Sequence, residues 1–265
     1  MTLSTDIITV GVPDVSAAHA FYASAFSAAA DDGRNAELDL HGTGRLAFRR
    51  IDELAAACGA DPATSGFRGY VLSSIVQRPA EVRALLDAAT AGGATVVKPA
   101  RKEFFGEFAA VHRAPDGAVW KLAAASKKDK GPVPAVPRPT ETAVFLGVAG
   151  PKASKVFYEA LGMVADHDYG DKFVDFAVSA GACRLGLLPR RALAGDAGVD
   201  GQGEGFSALA LTHTAGSREE VDALLAAADS AGGRVTAPAA PTGGGGYAGR
   251  FTDPDGHHWR VATSA

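Results

Sequence analysis

One stretch occurs twice in this chain, and that repeat limits what the chain can fold into. Near the C-terminus it reads Phe251-Thr-Asp-Pro-Asp-Gly-His-His-Trp-Arg-Val-Ala262. Earlier it reads His112-Arg-Ala-Pro-Asp-Gly-Ala-Val-Trp-Lys-Leu-Ala123. Pro fixes φ and Gly accepts positive φ, so Pro-Asp-Gly between extended runs is a tight turn. The strand that follows alternates. Val119, Lys121 and Ala123 point one way, and Trp120 and Leu122 the other. His258, Arg260 and Ala262 likewise lie opposite Trp259 and Val261. A cation therefore sits at the same place in each copy, beside a Trp that reads as core.

The repeat extends through the whole chain. Ile7 to Val12 reads as a strand, and Pro13-Asp14-Val15-Ser16 as a turn with Asp14 or Ser16 as N-cap. The helix that follows carries Ala18, Phe21, Tyr22 and Phe26 on one face. Two or three short strands end this unit near residue 50. A second unit begins at Phe67. It has a strand to Val76, an amphipathic helix from Pro79 ending at Gly92-Gly93, and three strands, the last holding Trp120. Residues 126–139 contain four prolines and read as a stiff, solvated linker. Ala143–Val148 then answers the first strand, and Phe157-Tyr158 answers Phe21-Tyr22. Glu220-Val-Asp-Ala-Leu-Leu answers Glu81-Val-Arg-Ala-Leu-Leu. A period of roughly 140 residues is too long for a solenoid and means a duplicated domain. The expected domains are 1–125, with units at about 6–50 and 67–125, and 140–265, with units at about 140–190 and 205–263. Gly195 to Gly205 reads as a mobile loop between the last two units.

Composition excludes several function classes. The 265 residues are 47% hydrophobic and 21% charged, with a net charge of -4 and no long basic run. Nucleic acid and membrane surfaces are thus not expected partners. No apolar run reaches the roughly 18 residues of a membrane span. The N-terminus lacks a signal-peptide pattern, so a cytoplasmic setting is expected. Cys58 and Cys183 have no metal-like spacing and read as packing residues.

In their order these pieces resemble the vicinal oxygen chelate superfamily of glyoxalase, extradiol dioxygenases, and fosfomycin- and bleomycin-resistance proteins. The matching residues are Val12-Pro-Asp-Val with Phe21-Tyr22, Phe157-Tyr-Glu-Ala-Leu-Gly162, Glu220-Val-Asp-Ala with Ala231-Gly-Gly, and Phe251-Thr-Asp-Pro-Asp-Gly. The resemblance implies an α+β fold of tandem duplicated domains. In each, two βαβββ units form an open cup-shaped mixed sheet with helices on the outside. It also implies that the halves pack as a pseudo-dimer within a monomer, or that the chain forms a homodimer.

The family's enzymes hold a divalent metal with His, Gln or Glu. Carried over residue by residue, the final-strand ligand falls on Lys121 and Arg260, the first-strand ligand on Ile8 and Val144, and the middle-strand ligand near Gly69 and Ala208. None can donate from its side chain, and a cation would repel the metal. No metal ligands and no cofactor are therefore expected; a divalent metal is the disfavoured alternative.

The remaining candidates have ordinary readings beside functional ones. Lys121 and Arg260 either bind an anionic ligand or pair with an internal acid such as Glu37, Asp39 or Asp175. His258 shares the Arg260 face and would need His167 or Asp168 to make a relocated site. His257 points away from it, as His213 does. Gly243 to Gly249 lacks a phosphate-loop pattern and reads as a flexible lid tipped by Tyr247. Phe104, Phe105 and Phe108 answer it at the first mouth. The expected ligand-binding set is Lys121, Arg260, His258, Phe108, Tyr247, Ser73 and Thr212, with no catalytic residue assigned.

The first functional reading is metal-independent binding or sequestration of a small aromatic or drug-like molecule in the cup, similar to the bleomycin-resistance branch. The alternative is a metal-dependent glyoxalase-type lyase or isomerase, or a dioxygenase, with a relocated metal site. A third reading makes one half a structural partner, with the second half, the better match, as the working one.

Overall fold

The computed structural model describes residues 2–28, 36–103, 106–129, 134 and 136–263. The first unit runs β1 (Ile7–Val12), α1 (Val15–Ala25), β2 (Glu37–Asp39) and β3 (Arg45–Arg50), followed by the short α2 (Ile51–Cys58) and β4 (Thr64–Gly66). The second runs β5 (Tyr70–Val76), α3 (Pro79–Ala91), β6 (Thr95–Lys102), β7 (Phe108–Arg113) and β8 (Val119–Ala124). The third runs β9 (Glu141–Val148), α4 (Pro151–Ala160), β10 (Ala165–Asp168), β11 (Val174–Phe176) and β12 (Arg184–Pro189), followed by α5 (Arg190–Ala197) and β13 (Gly203–Gly205). The fourth runs β14 (Leu209–Ala215), α6 (Arg218–Ser230), β15 (Arg234–Pro241), β16 (Tyr247–Thr252) and β17 (His258–Thr263). The duplicated α+β pattern is present as expected. No helix among the described residues is long and apolar enough to cross a membrane.

The units assemble across the halves. One sheet has the order β15-β16-β17-β14-β1-β3-β2, so the first unit joins the fourth. The other has the order β10-β11-β12-β9-β5-β8-β7-β6, so the second joins the third. The joins are antiparallel, β1 on β14 and β5 on β9. We call the concave faces of these sheets the first and second cups. The convex faces carry the long helices, and α1 meets α3 and α4 meets α6 between the sheets. One core therefore runs through the molecule, centred on Tyr22, Trp120, Tyr158, Phe251 and Trp259.

The repeated motif residues hold this core together. The Tyr22 hydroxyl donates to Asp116 Oδ2 at 2.8 Å and accepts from Trp120 Nε1 at 3.2 Å. Tyr158 does the same with Asp253 at 2.7 Å and Trp259 at 3.3 Å. All four aromatic rings are buried, so each polar tip needs such a partner. The accepting carboxylate differs between halves. Asp116 stands inside its Pro-Asp-Gly turn, whereas Asp253 precedes the turn, where the first half has Ala114. The turn's own Asp255 is thereby freed for another task. It accepts from Ala149 N at 2.8 Å and Ser154 Oγ at 2.6 Å, bracing the start of α4 where Gly150 replaces a capping side chain. In the first half Asp14 caps α1 directly, accepting from Ala17 N at 2.9 Å.

Two short helices lie on the concave side. α2 packs Leu54, Ala55 and Cys58 on Phe206, Ala208 and Ala210. α5 packs Leu193, Ala194 and Ala197 on Phe67, Val71, Val111 and Val119. Glycine permits the approach: a Cβ at Gly147 would lie 3.0 Å from the Arg190 Cα. The segment Gly195 to Gly205, expected to be a mobile loop, instead finishes α5 and pairs as β13 with β4. A Cβ at Gly66, Gly203 or Gly205 would run into the facing backbone, so the glycines serve close strand approach rather than mobility.

Candidate functional site

Strand phase decides which side chains enter each cup. In β1, Ile8, Val10 and Val12 are fully buried toward the helices, while Ile7, Thr9 and Gly11 face the cup. Ile8, onto which the first-strand ligand position was carried over, therefore does not face the cup, whereas its neighbours Ile7 and Thr9 do. In β9, Val144 is likewise in the main core, and Phe145 faces the cup. An unbroken apolar run gives no alternation from which to read the phase.

Lys121 and Arg260 both face cups as expected, and there the likeness ends. Lys121 Nζ lies 2.9 Å from Glu107 and 3.1 Å from Asp196. Burial disfavours the ammonium, but these two carboxylates more than offset it, and the pKa is raised. The cation is thus paired, though by none of Glu37, Asp39 or Asp175. Its acids come from the β6–β7 hairpin and from α5.

The Arg260 side chain has no ion pair or hydrogen bond among the described residues. It is joined in the first cup by Arg49 and Arg250, which the sequence reading did not single out and which are equally unpartnered there. Arg250 stands directly across the β16–β17 ladder from Arg260. Burial first, and then its arginine neighbours, lower the pKa of Arg260; burial and Arg49 do the same for Arg250. The cavity they face is about 520 Å³, with Thr9, Thr212 and Glu37 also on its wall. The signal for Arg250 was present in the sequence: it alternates with the core residue Phe251.

The second cup is larger and differently made. Its cavity is about 1120 Å³, walled by Val71, Phe145, Tyr169, Phe173, Leu188 and Leu193. Phe145 lies 6.3 Å from Phe173, which stacks on Tyr169 at 6.2 Å. Lys121, Glu107, Asp196 and Lys172 supply its polar wall.

The other expected site residues fall as follows. Thr212 lines the first cup. Ser73 is buried beside Lys121 in register and does not line the second cavity. His258 lies on the cup face, against Phe206 at 5.6 Å, and its pKa is pushed down to about 4 by burial and then by His257 and Arg250. Phe108 sits on the helix side of its sheet, with Arg83 of α3 4.6 Å over its ring. Tyr247 also faces outward: its hydroxyl donates to Asp222 of α6 at 3.0 Å. Neither is a cup residue, because both share the strand phase of core positions rather than that of Lys121 and Arg260. The glycine-rich segment before Tyr247 is a hairpin turn closed by Thr242 N donating to Gly246 O at 2.8 Å, with Thr242 on the first cup's rim. Phe104 and Phe105 lie outside the described residues.

The positions where the resemblance implies a metal do not fit one. Among the described residues the first cup presents three guanidiniums there and a single carboxylate, Glu37. Divalent ions need several converging O or N donors. The second cup presents an ammonium already paired with its acids. Among the described residues one group could bring three ligand atoms together: Asp166, His167 and Asp175, within 4.8 Å of one another. Arg184 already occupies it, with Nη1 2.8 Å from Asp166 and 3.4 Å from Asp175. A relocated site using His258 with His167 or Asp168 does not form, since β17 and β10 belong to different sheets. Asp168 instead pairs with Lys155 at 2.7 Å, and His167 with Asp175 at 2.9 Å. His213 is buried against Ser4 and His257 beside Asp253, both away from the cups.

Comparison with known proteins agrees with the fold. The profile of the Glyoxalase/Bleomycin resistance protein/Dioxygenase superfamily matches residues 5–122 and 142–261. The chain belongs to this superfamily. Among solved structures, glyoxalase I from Zea mays superposes with a TM-score of 0.64 at 18% identity, covering 99% of this chain and 92% of that one. A putative dioxygenase from Bacillus subtilis subsp. subtilis str. 168 gives 0.61 at 17% identity, covering 99% and 85%. At these identities the likeness is one of fold. A glyoxalase-related enzyme from Fulvimarina pelagi is 28% identical over 45% of this chain and 84% of its own, with a TM-score of 0.40. No curated protein matches the chain. The superfamily hosts enzymes and binding proteins on one scaffold, so activity must be argued from the cups.

Proposed function

We propose that the protein is a metal-independent small-molecule binder of this superfamily, and that its second cup takes a flat apolar or aromatic ligand. The observation that carries the reading is the cavity of about 1120 Å³ walled by Phe145, Phe173, Tyr169, Leu188, Leu193 and Val71. A cavity of that size, largely apolar and with few polar groups, suits a drug-sized molecule. Its one well-buried cation is neutralised by Glu107 and Asp196, so it adds orientation through hydrogen bonds rather than selection for charge. In this reading the halves, 1–125 and 140–265 joined by the 126–139 linker, work as a pair, because each sheet takes a unit from both.

The test uses a neutral fluorescent probe, N-phenyl-1-naphthylamine. It is expected to bind once per chain with a blue-shifted, enhanced emission. Phe145→Ala and Phe173→Ala should each weaken it about tenfold or more, the worth of roughly 1.5–3 kcal/mol of buried aromatic contact. Binding that is absent, or unchanged in both variants, refutes the assignment. Metal independence is tested separately. The protein is loaded with Ni, Zn, Mn or Fe(II), dialysed and analysed for metal; one tightly held ion per chain would overturn it.

A further inference from the structure

The internal repeat allows the two cups to be compared position by position, and the comparison singles out the first. β16 and β17 correspond to β7 and β8, β3 to β12, and α2 to α5. Arg260 then stands where the second cup has Lys121, Arg250 where it has Val111, and Arg49 where it has Leu188. The acids change in the opposite sense. Glu107 corresponds to Gly246, and Asp196 to Ala57. At these positions the first cup has thus gained two cations and lost both carboxylates that neutralise Lys121 in the second, where Lys172 is the other cation.

What is left is a concave site with uncompensated charge. Among the described residues its charged wall residues are Arg49, Arg250, Arg260 and Glu37. Glu37 is shared with Arg45, 3.7 Å away. Like charges directly opposed on neighbouring strands destabilise a sheet, yet Arg250 and Arg260 are so placed. Guanidiniums hold oxyanions in paired hydrogen bonds. Thr9 and Thr212 offer hydroxyl donors on the same wall. Three positive charges against one negative leave the cup ready for two units of negative charge.

We infer that the first cup is a second, chemically distinct binding site, for a small dianionic oxyanion group such as a phosphate monoester or a dicarboxylate. It stands independently of the second-cup reading. The cavity of about 520 Å³ admits such a group with a modest organic body.

The experiment is titration calorimetry in dilute Tris chloride, with inorganic phosphate and succinate as probes and acetate as the monoanion control. One dianion is expected to bind once per chain and at least tenfold tighter than acetate. Preference for phosphate identifies a phosphoryl-bearing ligand, and preference for succinate a dicarboxylate. Arg250→Gln and Arg260→Gln should each weaken binding about tenfold or more, the usual worth of a charge-assisted hydrogen bond. Ala57→Asp restores the acid of the second cup without touching an arginine, and should abolish binding. Each variant is first checked for an unchanged far-UV circular dichroism spectrum and a cooperative thermal transition, which report an intact fold. The inference is overturned if neither dianion outbinds acetate, or if binding survives in Arg250→Gln/Arg260→Gln or in Ala57→Asp.

Discussion

Replacing Tyr158 by Phe removes one oxygen atom from the middle of the core and should cost much more than its size suggests. The hydroxyl is fully buried, donates to Asp253 Oδ2 at 2.7 Å and accepts from Trp259 Nε1 at 3.3 Å. Without it, a carboxylate oxygen loses a donor and a buried indole N–H loses its acceptor. A hydrogen bond to an ionised group is worth about 1.5–3 kcal/mol, and an orphaned buried donor costs about 1–3 kcal/mol. The two effects overlap, and a loss of about 3–4 kcal/mol is expected. For a chain of this size that lowers the thermal midpoint by roughly 6–16 °C. The deficit should depend on pH. Burial already raises the Asp253 pKa, opposed by His257 and by the Tyr158 hydroxyl. Losing the hydroxyl raises it further. A carboxyl with a raised folded pKa favours folding below its unfolded pKa, and that advantage is lost as pH rises through the folded value. The variant's deficit is therefore largest at neutral pH and shrinks on acidification. Differential scanning calorimetry of both proteins between pH 4 and 8 measures this. A fall of less than about 3 °C at pH 7, or a deficit that does not change with pH, would refute the account of this triad. Binding of the neutral probe should stay the same, because the triad holds the core and touches neither cup.

His112 is buried with neither ring nitrogen hydrogen-bonded, and burial pushes its pKa down to about 4. A depressed folded pKa makes stability fall as pH drops from about 6.5 toward 4, by about 2 kcal/mol at pH 5 for this group. His112→Leu should thus gain thermal stability over the parent as pH falls from 7.5 to 5, and an equal difference at both pH values would contradict the assignment. A Cβ at Gly186 would run into the Phe145 ring. Gly186→Ala should push that ring into the second cup and weaken the neutral probe about tenfold, leaving phosphate or succinate binding in the first cup unchanged.

Much of this architecture could be read in the sequence, because the signals concerned are local. Pro-Asp-Gly turns, Gly-Gly helix ends and the alternation around Trp120 and Trp259 each fix a short piece of backbone. The duplication then confirms each piece against its copy. Alternation also put Lys121 and Arg260 inside the cups correctly. The rest depends on contacts between distant residues. Nothing near β1 indicates that it pairs with β14 rather than with its own half. Glu107 and Asp196 reach Lys121 from a hairpin and a helix, so the internal strand acids offered as its partners, Glu37, Asp39 and Asp175, were the wrong ones. Phe108 and Tyr247 were chosen as aromatics near a supposed mouth, not by strand phase, and phase turns both outward. Arg250 was missed although its alternation with Phe251 was visible, because no motif drew attention to it.

Each sheet takes one unit from either half, and this has a consequence for how the molecule could come to carry two chemistries. Two identical halves assembled in this way would make two identical bowls, since each bowl would hold the same pair of modules. Within one polypeptide the modules are free to differ. A change in either half still alters the wall of both bowls' shared scaffold, but at any given position it alters the lining of only one. Covalent linkage therefore permits symmetry breaking: the arginines can gather in one bowl and the phenylalanines in the other, while the hydrogen-bonded tyrosines behind them keep the frame common to both.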